Sequence, residues 1–164
     1  MTAPKNKKPA LAEGALQSLI GYRIAKARVA TQALFARHIG SPFSLRPVEY
    51  SLLMLLHANE GLTPKQLSRA LALPAPNLTI LMDRMQARGL IERVRNQVDR
   101  RSQQALLTAQ GAALAAQLAE LTPSVEQDLG QHLSAAELAM LSELLDKVSN
   151  SIRVQPEPDA NTGD

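Results

Sequence analysis

A chain of 164 residues can bury one sizeable core, and an apolar content of 45% excludes a wholly disordered polymer. No apolar run is long enough to cross a bilayer as a helix. With no Cys, the chain has no disulfide, thiol chemistry or Cys-ligated metal site. The net charge of +3 hides an asymmetry: residues 1–101 hold 16 Lys and Arg against 6 acidic side chains, a net +10, whereas residues 102–164 are −7. A basic half suits a polyanionic partner, because each phosphate contact releases counterions.

Residues 1–9, with Lys5, Lys7 and Lys8, read as a flexible basic arm. Pro9 and the short segment after it do not make a signal-peptide core, so a soluble cytoplasmic protein is expected. A long helix is predicted from Ala10 to His38, since Leu16, Leu19, Ile20, Ile24, Ala27 and Leu34 recur at helical spacing. Gly40, Ser41 and Pro42 are expected to end it, within an N-terminal segment 10–44. A second helix spans Leu45–His57, with Pro47 tolerated in its first turn. Thr63, Pro64 and Gln66 form a capping box for a short helix to about Leu71, with Leu67 and Ala70 inward. The next helix runs from Pro76 to Arg88, with Leu78, Leu81, Met82 and Met85 on its core face and Gly89 as its C-terminal stop.

Two strands, Leu90–Val94 and Gln104–Thr108, flank a polar basic loop, closing a lobe over 45–108. Helices then fill 109–150. Pro123 should kink or break the first, and Ser134 with Glu137 should cap the last, whose Leu138, Leu141, Leu144, Leu145 and Val148 form a packing surface. Residues 151–164 read as a disordered acidic tail. The fold class is therefore mainly α with a small β element: a winged helix-turn-helix flanked by long N- and C-terminal helices.

Two helices joined by a short turn can place the second in a major groove, where side chains near its N-terminus meet base edges. The candidates are Pro74, Ala75, Asn77, Thr79 and Ile80. Asn77 can pair with adenine or a phosphate; Thr79 can hydrogen-bond or touch a thymine methyl; Ile80 offers apolar contact alone. Arg84 and Arg88, four apart, either reach phosphate or pair locally with Asp83 and Glu92, and of the two Arg84 is counted with the DNA-binding residues of the recognition helix. Arg95, Arg100 and Arg101 crowd the hairpin tip, suited to a narrow minor groove, with Asp99 holding an Arg in place. Scarce aromatics (Tyr22, Phe35, Phe43 and Tyr50) argue against a stacking platform for single strands.

Over about residues 15–150 the chain resembles the MarR-type multiple-antibiotic-resistance regulators. The resemblance rests on Leu62-Thr63-Pro64-Lys65-Gln66-Leu67-Ser68, Leu78-Thr79-Ile80-Leu81-Met82-Asp83-Arg84-Met85, Gly89-Leu90-Ile91-Glu92-Arg93, Asp99-Arg100-Arg101 and Leu107-Thr108-Ala109-Gln110-Gly111. It implies a homodimer joined by the first and last helices, with recognition helices in successive major grooves of a pseudo-palindromic operator. It also implies Asp99 as the structural acid of the wing and Arg101 as its minor-groove arginine. Pro74 and Pro76 stand where the family commonly has small hydroxyl residues, and Ile80 where it has a basic or polar one, which suggests a distinct operator.

The resemblance further implies a small-molecule effector, commonly an aromatic or phenolic acid or its thioester, that releases DNA. Candidate pocket residues are Tyr22, Arg23, Arg46, Tyr50, Met54 and His57. Either arginine can meet a carboxylate, and either tyrosine a ring or a phenol. No cofactor or metal is expected: His38 and His57 lack a third ligand at useful spacing. There is no phosphate loop, and His38, His57 and His132 are isolated, so an enzyme is not expected. The alternative function is a winged-helix module that binds proteins rather than an operator.

Overall fold

The computed structural model describes residues 11–95 and 103–151. The expected arm over 1–9, the loop residues Asp99, Arg100 and Arg101, and the expected tail beyond Ser151 lie outside the described residues. The chain divides into two compact units, residues 1–125 and 126–164. No described helix is long and apolar enough to cross a membrane.

The first unit begins with a 3-10 turn, Gly14–Ser18, and an extended Leu19, followed by α1, Ile20–Phe35. The single helix predicted over Ala10–His38 is thus interrupted at its start. Its end also differs. A wider π turn, Ala36–Gly40, leads into α2, Ser41–Phe43, so Gly40, Ser41 and Pro42 carry the helical path onward. Pro42 lacks an amide proton and fits at the start of the new turn. Ser44, at φ 51, then reverses the chain, and the Leu45 amide donates to the Gly40 carbonyl at 3.0 Å.

Helix α3, Pro47–His57, starts with Pro47 in its first turn and buries Leu52, Leu53 and Leu56. Helix α4, Pro64–Ala70, has the expected box: the Gln66 amide donates to Thr63 Oγ1 at 3.3 Å, and the Thr63 amide to Gln66 Oε1 at 2.9 Å. Leu67 is buried as expected, but Ala70 is exposed, and the half-buried polar neighbour is Ser68, whose hydroxyl donates to the Leu73 carbonyl. In so short a helix, Ser68 rather than Ala70 faces the turn that follows.

Helix α5, Ala75–Ala87, begins one residue before the predicted Pro76, with Pro74 as its N-cap. Leu78, Leu81, Met82 and Met85 are all buried, as the helical periodicity predicts. At its end the Leu90 amide donates to Met85 O at 3.1 Å and the Gly89 amide to Gln86 O at 2.8 Å. This Schellman pair needs a left-handed residue, and Gly89 supplies it at φ 69.

Strands β1, Ile91–Arg95, and β2, Gln103–Leu107, pair antiparallel from Ile91 opposite Leu107 to Arg95 opposite Gln103, each displaced by one residue from its predicted span. A further pairing was not read from the sequence. Leu62, just before α4, exchanges both backbone hydrogen bonds with Ala105, at 2.8 and 3.2 Å. It ties the helix-turn-helix to the hairpin, completing a winged helix. Their shared core joins Leu52, Leu53, Leu67, Leu78, Met85, Ile91 and Ala105 with Ala115 and Leu118 of α6, Ala109–Gly130. Each of its large buried aliphatic side chains contributes about 1.5–3 kcal/mol.

Pro123 does not break α6. It removes the amide that would bond Ala119, while the preceding Thr122 hydroxyl donates to Leu118 O at 3.0 Å. In the second unit, α7, Ala135–Ser151, is capped as predicted: the Ser134 amide donates to Glu137 Oε2 at 2.7 Å, and Glu137's amide to Ser134 Oγ at 3.3 Å. The Ser134 amide and hydroxyl hold the Glu137 carboxyl below its ordinary range. Leu141, Leu144, Leu145 and Val148, expected as a packing surface, are exposed in the single chain, as are Leu16, Leu19, Ile20 and Ile24 before and within α1.

Candidate nucleic-acid interface

The turn Leu71–Pro74 carries α4 into α5, and the buried stripe of α5 fixes which side of that helix can meet a ligand. Pro74, Ala75, Asn77, Thr79 and Ile80 are all exposed. Their local chemistry is unequal. Pro76, at the second position of α5, removes one of the free amides a helix start would offer to a phosphate. Thr79 is backbonded, its hydroxyl donating to Ala75 O at 3.0 Å. Ile80 keeps 58% of its surface in solvent.

Arg84 and Arg88 choose neither of the local partners foreseen for them. Asp83 is taken by Arg93 of β1. Arg84 instead donates through Nη1 to Glu49 Oε1 at 3.1 Å, and Arg88 through Nη1 to Glu49 Oε2 at 3.4 Å and to the Ser44 carbonyl at 3.2 Å. Glu49 is 2% exposed and also accepts the Arg46 amide at 2.9 Å. One buried carboxylate therefore joins the α2–α3 turn, the start of α3 and the last two turns of α5. Sequence reading missed Glu49. Its signal was present: residues 49, 52, 53 and 56 lie at helical spacing, so Glu49 sits on the stripe of Leu52, Leu53 and Leu56.

At the hairpin, Arg95 is exposed at the end of β1. Lys65 and Arg69 on α4 are exposed as well.

The six pocket candidates make different local contacts. Tyr22 and Lys26 both donate to Glu13 Oε1, at 3.0 and 2.7 Å, and Arg23 Nε donates to Gln17 O at 2.9 Å. The Lys26 ammonium and then the Tyr22 hydroxyl lower the Glu13 carboxyl, which in turn raises the Tyr22 phenol. Tyr50 lies elsewhere, edge-on to Phe35 at 5.7 Å, with its hydroxyl 2.8 Å from Thr122 Oγ1. Met54 is half-buried one turn further along α3. Arg46 and His57 are exposed at opposite ends of α3, eleven residues and roughly 16 Å apart along the axis.

Residues 43–102 match the family model described as MarR family. The chain is 32% identical over 109 residues to the multiple antibiotic resistance protein MarR of Escherichia coli strain K12, covering 66% of this chain and 76% of that protein. Among solved structures it is similar to the transcriptional repressor CouR bound to a 23-mer DNA duplex, with a TM-score of 0.77, 30% identity and coverage of 85% and 99% of the two chains. It is also similar to a point mutant of Escherichia coli MarR complexed with operator DNA, with a TM-score of 0.75, 28% identity and coverage of 83% and 99%.

Proposed function

From the premise that this chain belongs to the MarR family, we propose that it is a homodimeric repressor that reads a pseudo-palindromic operator in double-stranded DNA. The observation that carries the reading is the α4–α5 pair pinned to the hairpin through Leu62 and Ala105, which holds the exposed side of α5 and the basic edge at Arg95 on one rigid lobe. The net charge of +10 over residues 1–101 supplies the field that draws such a lobe to phosphates. Asn77, Thr79 and Ile80 serve the major groove, and Arg95, Arg100 and Arg101 the flanking minor groove, with Asp99 supporting the wing. Binding of the E. coli MarR mutant to operator DNA and of CouR to a duplex supports the DNA-binding reading.

A duplex selected from a random pool tests it. The protein is expected to bind that duplex at least about a hundredfold more tightly than a shuffled one at fixed salt, since mature operators commonly reach about 10³ or more. Arg101→Ala with Asn77→Ala should abolish the preference while leaving the oligomeric state unchanged. Equal, steeply salt-dependent binding to both duplexes refutes operator reading and leaves only a phosphate-binding surface established.

The dimer rests on the uncovered apolar side chains of α1 and α7, which a second copy of the chain would bury. Leu141→Glu with Leu144→Glu is expected to give monomers by sedimentation and to weaken operator binding by more than about tenfold, because the two half-sites are no longer engaged together. A double variant that remains dimeric would assign the interface elsewhere.

The release signal we propose is a small aromatic or phenolic acid or its thioester. The half-buried Phe35–Tyr50 edge, with Met54 beside it, is the best-supported part of such a site, because a ring can extend an aromatic contact already present there. A ligand acts only through its differential affinity for the DNA-competent state.

A further inference from the structure

Guanine is most often read by Arg or Lys forked onto its O6 and N7. Helix α5 does not offer that contact from the side it exposes. From Ala72 to Asp83 there is no Lys or Arg, and Arg84 directs its Nη1 into the buried Glu49 carboxylate. The exposed side chains of the first two turns are instead Pro74, Ala75, Pro76, Asn77, Thr79 and Ile80. Of these, Asn77 alone offers both a free side-chain donor and an acceptor. The Thr79 hydroxyl proton is committed to Ala75 O, so that side chain has its methyl and an acceptor to present. Ile80 adds the largest exposed apolar surface on the helix. The one apolar group on a major-groove base edge is the thymine C5-methyl.

We propose that α5 reads its operator chiefly through thymine methyl groups packed against Ala75, Thr79 and Ile80, with Asn77 as the polar contact to an adenine. This rests on the operator-reading function and specifies the chemistry of the same site. The half-site is then A·T-rich where α5 enters the groove, and discrimination comes from burial of methyls rather than from forked hydrogen bonds.

Deoxyuridine substitution isolates the methyl, since it leaves every hydrogen-bonding group of the base in place. Burying one methyl is worth about fourfold in affinity. With one or two methyls per half-site and two half-sites, replacing each thymine of the selected duplex by deoxyuridine should weaken binding by roughly fifteenfold to 250-fold. Ile80→Ala with Thr79→Ser changes only exposed side chains and should keep the fold. It leaves Ala75 in place but is expected to cut the thymine-over-uracil preference by at least about fourfold, because the Thr79 and Ile80 surface for the methyls is gone. Unchanged wild-type affinity for the uracil duplex, with the preference over a shuffled duplex intact, overturns methyl reading while operator recognition stands. Loss of the preference over a shuffled duplex in the all-thymine DNA overturns both.

Discussion

Gly111→Ala is expected to destabilise the first unit by about 2–4 kcal/mol, although a glycine-to-alanine change inside a helix ordinarily stabilises it by about 1 kcal/mol. The reversal comes from where the first turn of α6 crosses the chain between α5 and β1. A Cβ on Gly111 would lie 1.9 Å from the Leu90 carbonyl oxygen and 2.9 Å from its carbon. A C···O contact normally needs about 3.3 Å, so helix and strand must separate by more than roughly 1 Å. Backbone, not a flexible side-chain tip, is what would have to move. That carbonyl already accepts the Thr108 amide at 3.2 Å. The Thr108 hydroxyl donates to Gly89 O at 2.6 Å and accepts the Gly111 amide at 3.0 Å. Displacement strains this whole clasp, and loss of a helix cap alone costs about 1 kcal/mol. Thermal unfolding followed by circular dichroism should show the midpoint lowered by roughly 5–15 °C. An unchanged or raised midpoint would show that the crossing tolerates a side chain.

How much of this was legible beforehand depended on how local each determinant was. The caps at Thr63 and Ser134, the buried stripe of α5 and the left-handed Gly89 follow from neighbours within four residues, and each stands where its signal lies. The failures were of three kinds. Pro42 read as a stop and Pro123 as a kink or break, yet both sit inside helical paths, because the missing amide is absorbed by a widened turn in one case and within a long helix in the other. Ala70 followed the period, but a seven-residue helix is oriented by its ends rather than by its stripe. Contacts distant in sequence were invisible. Nothing near residue 62 announces its pairing with residue 105, and nothing near Arg84 names Glu49, thirty-five positions earlier. For the site, the exposed side of α5 was readable from its buried side. The backbonding of Thr79 was not, since it depends on a rotamer.

Arg84→Ala combined with Arg88→Ala should cost about 3 kcal/mol, more than substitution of the acid they share by its neutral amide. Glu49 is nearly inaccessible, whereas the side chains of Arg84 and Arg88 keep 39% and 33% of their surface. Removing both bases strands a buried carboxylate on the Arg46 amide alone, and a buried pair broken in this way costs about 3–5 kcal/mol. Partial hydration of the guanidinium heads argues for the lower end of that range. Glu49→Gln, by contrast, keeps an acceptor for the Arg46 amide and returns two arginines to water, so about 1 kcal/mol is expected. Adding Glu49→Leu to the double variant should recover most of the loss, as apolar replacement of a whole buried cluster commonly does. Urea unfolding of the parent and these three variants measures the differences, and a double variant as stable as the parent would show that Glu49 needs no counter-charge. The single variant Arg84→Ala separates two roles on DNA. If Arg84 leaves Glu49 to bind a phosphate, the slope of log affinity against log salt should shrink by about one contact. If it holds α5 in place, the slope stays and the preference for operator over shuffled DNA falls instead. The 3.1 Å contact with a buried acid, backed by the Arg88 bond to Ser44 at the α2–α3 turn, favours the second outcome: specificity set by a helix anchored from behind.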